Sequence, residues 1–485
     1  MPAPIVDTLA AYARAGYFPF HTPGHKYGPF APQSLRAVLG DAAWGLDLPS
    51  MTATDSLLHP TRCIADAERL AAQLFGAADT YFLAGGSTQA VAGMLLAAVP
   101  PGGVVLLPRN VHRSVVGGLV LSGARPRFLR HDVLAESGAL GVSEASLRAG
   151  LDAHPDAAAV LLTRPSYYGL AVDLEPARRL TRERGVKLLV DEAHGAHLRF
   201  CPNSEGRPTA ALDYGADLVA QSWHKTLGAL GGAAVLHRGQ GSAVPAARVR
   251  ATLNLLHSTS ASLLLLASLD AARLTLAEQG EALFADAVAQ ARRLAERINQ
   301  LPGLRVLAAG EHPELARHQI DPLRMTINVA GAGWTGYEAE LLLRSDAYRI
   351  EDEMSDPFSI VLVLGPGDPE EARQRLLAGL AHIAENPKPV RDGEAFTADM
   401  LQPPLPPQAA TPREAALAEQ ETVSFPAAVG RTCAETIAFY PPGIPLVMPG
   451  ETITAPLVSI AQRLLSAGAY PHALDSSLQT VSVVA

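Results

Sequence analysis

The chain has 485 residues, 48% of them hydrophobic, and carries 39 Lys and Arg against 48 Asp and Glu for a formal net charge of −9. That length gives room for two or three domains around a large buried core, and the mixed-sign, acidic balance has no long basic stretch with which to follow a nucleic acid backbone. No apolar run is long enough to span a membrane: Ser262 to Leu269 is too short, and Leu95 to Leu107 is broken by Pro and Gly.

The opening Met1-Pro2-Ala3-Pro4-Ile5-Val6-Asp7 lacks the basic and apolar regions of a signal peptide, so a soluble cytoplasmic protein is expected. From Thr80 to Leu236 short β-rich runs alternate with Ala-, Leu- and Arg-rich helical stretches, the pattern of a mostly parallel sheet covered on both faces. Thr80-Tyr81-Phe82-Leu83 is the first strand, and Ala84-Gly85-Gly86-Ser87-Thr88-Gln89 turns it into a helix. Further strands are expected at Val104 to Leu107, Arg125 to Leu129, Ala158 to Thr163, Lys187 to Val190, Ala216 to Gln221 and Ala233 to Leu236. A helix over Leu264 to Gln300 then leads into a smaller α+β unit. The expected domains are residues 1–275, an N-terminal arm with a large cofactor-binding domain; 276–385, the small α+β domain; 386–412, a proline-rich linker; and 413–485, a C-terminal α+β module. Cys63, Cys201 and Cys433 are widely spaced and odd in number, which argues against a disulfide framework or a zinc site.

The most telling chemistry is the order of Asp191, at the end of one strand, and Lys225, in the glycine-rich turn after another. A lysine able to form a Schiff base, and an upstream carboxylate able to keep a ring nitrogen protonated, are the polar anchors of a pyridoxal phosphate site. Open α/β sheets present such groups at the carboxyl ends of their strands. Ser222 and His224 can donate to the cofactor phosphate. Ser87 and Thr88, with the free N–H groups of a helix start, make a second set of anion donors, although Ser and Thr there also suit an ordinary N-cap. His112 is a candidate to stack on the pyridine ring, against the plainer reading of a helix-end histidine. His194 is placed to lie near the substrate carboxylate, Ala193 is small enough for a ring to approach, and His197 reads as structural. His194 and His197 stand beside acids, but a metal hydrolase is a minor alternative. Recognition of a distal ammonium or guanidinium needs a carboxylate, for which Glu353, Asp356, Glu435 and Glu451 are candidates.

Read in order, these runs resemble the ornithine/lysine/arginine decarboxylase family of fold type I (aspartate aminotransferase-like) pyridoxal phosphate enzymes. Phe20-His21-Thr22-Pro23-Gly24-His25-Lys26, Leu57-Leu58-His59-Pro60, Arg164-Pro165-Ser166-Tyr167-Tyr168-Gly169, Tyr440-Pro441-Pro442-Gly443-Ile444-Pro445 and Pro449-Gly450-Glu451 carry the same resemblance, which spans almost the whole chain. It implies that Lys225 is the Schiff-base lysine, Asp191 the pyridine partner, His112 the ring-stacking histidine, and Ser87, Thr88, Ser222 and His224 phosphate ligands. It also implies decarboxylation of a basic amino acid in polyamine biosynthesis, with arginine to agmatine preferred over lysine or ornithine, by a homodimer or higher oligomer whose subunits share active sites. The run His257-Ser258-Thr259-Ser260 would contribute across that interface, but the proline and tyrosine that the family pattern leads one to expect near Ala261 and Leu263 are missing. The start of the chain almost at His-Thr-Pro-Gly-His resembles the short type without a wing domain. An aminotransferase or carbon–sulfur lyase on the same fold, or a non-catalytic relative, are the alternatives.

Overall fold

A computed structural model describes residues 1–130, 132–133, 140–201, 208–308, 319–389, 404–440, 443–466 and 468–485. Most of the expected proline-rich linker, and Pro441 and Pro442, lie outside the described residues. The architecture is α/β, and its main strands are β1 (Asp79–Leu83), β2 (Val104–Leu107), β3 (Arg125–Phe128), β4 (Ala157–Thr163), β5 (Lys187–Asp191), β6 (Leu218–Gln221) and β7 (Ala234–Arg238). They follow the expected runs to within two residues at each end.

The chain forms two compact units, one of Met1–Ala97, Leu189–Phe200 and Ala210–Glu281, the other of Ala98–Leu188, Cys201–Thr209 and Ala282–Ala485. In the first unit the strand order is β1, β7, β6, β5. Strands β5 and β6 run parallel, pairing Asp191 with Ala220, whereas β7 is antiparallel to both β6 and β1. All four residues of β6 are buried, as expected where both faces of a sheet are covered and alternation gives way to a continuous apolar run. The helix Cys63–Phe75 covers one face, ending in an aromatic stack of Phe75 on Trp223 with centroids 5.0 Å apart.

The second unit contains the parallel strands β4, β2 and β3. It also holds an antiparallel sheet of four strands, in which Arg324–Asn328 pairs with Ser359–Val363. The helix Gly336–Arg344 enters through a capping box, Thr335 and Glu338 each satisfying the other's backbone N–H. Toward the C-terminus a separate apolar cluster, including Phe425, Ile437, Val447, Leu457 and Val483, packs beneath short antiparallel strands. Glu451 is buried there in a bidentate pair with Arg109, at 2.6 and 2.9 Å, and Oε2 also accepts the Met448 N–H at 2.7 Å. That geometry gives Glu451 a structural role in tying the C-terminal segment to the segment that follows β2.

The helix Leu263–Ile298 matches the long helical stretch expected from the sequence. Among the described residues no helix is long and apolar enough to cross a membrane.

Candidate active site

Strands β5 and β6 are parallel neighbours, so the residues that follow them emerge at the same edge. Side chains alternate along a strand. Asp191 and Glu192 therefore leave β5 in opposite directions.

Asp191 is buried, its Oδ1 accepting the Ala193 N–H at 3.1 Å. Burial pushes its carboxyl above the usual range, and the positive charge of Lys225 pulls it back down. A nearby cation therefore favours its charged form, and Lys225 supplies one. Lys225 lies in the one-turn helix Trp223–Thr226, and its Nζ is 2.7 Å from His194 Nε2. With the lysine as an ammonium, Nε2 accepts and the ring proton sits on Nδ1. The structure therefore brings together Asp191, Ala193, His194 and Lys225, three of them polar and within one turn of a strand end.

Beside them, Ser222 Oγ is buried without a hydrogen-bond partner. A buried hydroxyl left unsatisfied is costly in a native fold, and an anionic ligand would satisfy it. His224 donates from Nδ1 to the Ala233 carbonyl at 2.9 Å. Because a carbonyl only accepts, Nδ1 holds the proton, and Nε2 can donate to an anion only when the ring is an imidazolium. Ser87 and Thr88 occupy the first turn of the helix Gly86–Ala98, half-buried and exposed respectively. Gly86 adopts φ +71°, which a side chain would oppose, and its N–H donates to Gly232 at 2.8 Å. That bond fastens the Ser87 turn to the glycine turn beyond Lys225. An orphaned hydroxyl, a helix start and an amine–carboxylate pair form a donor set that fits a phosphorylated aldehyde with a basic ring nitrogen.

The remaining expected residues belong to the second unit. His112 is the N-cap of the helix Arg113–Ser122, its Nδ1 accepting the Ser114 N–H at 3.2 Å, with the ring 6.4 Å from that of Tyr167. Asp356 is buried and occupied: Oδ2 accepts Tyr168 Oη at 2.8 Å, and Oδ1 accepts the N–H groups of Phe358 and Ser359 at 2.7 and 2.6 Å. Burial lifts it to about 6. Glu435 accepts from Ser482 and Leu474 N–H groups at 2.7 and 2.6 Å and lines a cavity of about 670 Å³ with Arg113, Tyr470 and His472. Glu353 is partly exposed and lies 3.7 Å from the buried Arg324 guanidinium. Sequence reasoning missed Glu192, Gln221 and His237, buried polar residues of the first unit. The available signal was polarity inside apolar strands, as in Ala234-Val235-Leu236-His237.

Residues 3–372 match the family described as Orn/Lys/Arg decarboxylase, major domain, and residues 391–470 match Orn/Lys/Arg decarboxylase, C-terminal domain. The chain is 38% identical to an arginine decarboxylase of Halalkalibacterium halodurans, covering 93% of this chain and 91% of the relative. It is 36% identical to an arginine decarboxylase of Bacillus subtilis, over 99% of this chain and 97% of the relative. The constitutive lysine decarboxylase of Escherichia coli superposes with a TM-score of 0.83 at 21% identity, covering 100% of this chain and 82% of that one. At that identity the likeness establishes the fold, an α/β architecture with a mostly parallel central sheet.

Proposed function

The chain belongs to the Orn/Lys/Arg decarboxylase family and is an amino acid decarboxylase, and from that premise we propose that it uses pyridoxal phosphate to convert arginine to agmatine and CO2. The observation that carries the cofactor reading is the meeting of Lys225 and His194, 2.7 Å apart, with the buried Asp191 carboxylate whose charge Lys225 offsets. The arginine decarboxylases aligned above support the substrate; lysine and ornithine are the neighbouring readings.

When bound, pyridoxal phosphate supplies the electron sink that makes loss of an α-carboxylate accessible. Lys225 would hold its aldehyde carbon, Asp191 its ring nitrogen, and Ser87, Thr88, Ser222 and His224 its phosphate. Ala193 leaves room for the ring, and His112 is assigned the ring face on the family resemblance. Asp191 would hold the ring nitrogen protonated, since its burial makes an adjacent cation favourable. Lys225 Nζ and His194 Nε2 can exchange a proton directly and so form the acid that protonates the α-carbon. Among the expected substrate carboxylates, Asp356 and Glu435 already accept backbone N–H groups and Glu353 is paired with Arg324, so a substrate guanidinium would share Glu353 with that arginine.

The proposal includes a cytoplasmic homodimer with shared sites and the domain division drawn above, to which the separate C-terminal core lends support. The aminotransferase, lyase and non-catalytic alternatives are not favoured, since both matched segments belong to a decarboxylase family. The test is mass spectrometry of products from cofactor-loaded protein given equimolar arginine, lysine and ornithine. Agmatine is the expected product; cadaverine or putrescine would replace the substrate, and no amine from folded, loaded protein would overturn the reading.

A further inference from the structure

Behind Asp191 and Lys225 runs a line of buried polar side chains. Thr80 Oγ1 is 2.7 Å from His237 Nδ1, His237 Nε2 is 3.0 Å from Gln221 Oε1, and Gln221 Nε2 donates to Glu192 Oε2 at 2.7 Å. Trp223 Nε1 also donates to Gln221 Oε1, at 3.0 Å, and Glu192 Oε1 accepts the Ala211 N–H at 2.8 Å. Glu192, Gln221, Trp223 and His237 are wholly buried, and Thr80 nearly so.

The chemistry fixes every role in this line. A carboxylate only accepts and an indole N–H only donates, so the Gln221 amide can be oriented one way alone. Its oxygen then requires Nε2–H on His237, which leaves Nδ1 to accept from the Thr80 hydroxyl. Burial lowers His237 to about 3, so the ring stays neutral and this tautomer persists. Each donor therefore points toward Glu192, and bonds aligned in one sense reinforce one another in a low-dielectric interior.

Three of the four lie on strands of the first unit, Thr80 on β1, His237 on β7 and Gln221 on β6, and Glu192 directly follows β5. Glu192 directly follows Asp191, and Gln221 directly precedes Ser222, with Trp223 between Ser222 and Lys225. Resting on the cofactor reading above, we propose that Glu192, Gln221, His237 and Thr80 are positioning residues. They lock the ends of β5 and β6 together so that the Asp191 carboxylate and the Lys225 amine keep a fixed spacing.

The test uses the full chain with Glu192→Gln, Gln221→Leu, Thr80→Val and the conservative Thr80→Ser. In cofactor-free protein, the pH dependence of Lys225 modification by an amine-reactive aldehyde is read by peptide mass spectrometry. Its midpoint should shift by about half a unit or more in Glu192→Gln and Gln221→Leu, less in Thr80→Val, and return to the parent value in Thr80→Ser. In cofactor-loaded protein kcat should fall about 10- to 100-fold with KM little changed. Unchanged Lys225 titration in folded variants, with only a lower thermal midpoint, would make the line purely structural and overturn the proposal. If Glu192→Gln and Gln221→Leu do not fold, Thr80→Val against Thr80→Ser decides. Parent protein that takes up no pyridoxal phosphate at Lys225 sinks the cofactor reading instead, and the cofactor-free titration still reports on the line.

Discussion

Asp191 and Asp356 are both buried carboxyls raised by desolvation, yet their surroundings differ in kind. Asp356 is enclosed by a tyrosine hydroxyl and two backbone N–H groups, neutral donors that fix a turn before the strand Ser359–Val363. Asp191 accepts the Ala193 N–H and faces a lysine, so its carboxylate is counterbalanced by charge as well as by hydrogen bonding. Burial alone therefore does not mark a functional acid. The proposed role of Asp191 rests instead on a charged neighbour that a ligand cation could replace.

That contrast can be broken most sharply at Lys225. Lys225→Ala should lower turnover by about 10³-fold or more, as expected when the covalent group of a mechanism is removed, with product formation as the readout. Substantial residual decarboxylation would end the assignment. In the other unit, Glu451→Ala leaves Arg109 buried without its partner, and chemical denaturation should report a loss of about 3–5 kcal/mol.

Asp191→Asn should cost about 100-fold in kcat while leaving thermal stability equal or higher, because a carboxylate destabilised by burial is gone. A large drop in stability would make Asp191 resemble Asp356 after all. The smallest effect is expected from Asp356→Asn. The folded carboxyl, at about 6, holds a proton that the unfolded one, near ~3.9, has lost, so parent stability falls as pH rises from about 4 through about 6. The variant cannot ionise there, and its thermal midpoint relative to the parent should rise by about 2–4 °C across that window and then level off. A flat difference between the two proteins would refute the raised value.

The same division governs what could be read in advance. Lys225, Asp191 and His194 are close to strand ends in the sequence itself, so apolar periodicity and turn residues were enough to bring them to one edge. The acids after Glu351 have no such landmark. Asp356 and Glu435 read as candidate substrate groups on charge alone, and their backbone partners come from a strand turn and from residues more than thirty positions away.

By itself, the sequence determined the α/β alternation, the strands that deliver Asp191 and Lys225, and the order of motifs that marks the family. These depend on periodicity and on short-range neighbours, both of which are local properties of the chain. Only the tertiary structure decided that β7 runs antiparallel between β1 and β6, that Glu451 serves Arg109, and that Thr80, His237, Gln221 and Glu192 form one line. Each of these joins residues distant in sequence through hydrogen bonds whose donors and acceptors become partners only when packing removes water from both.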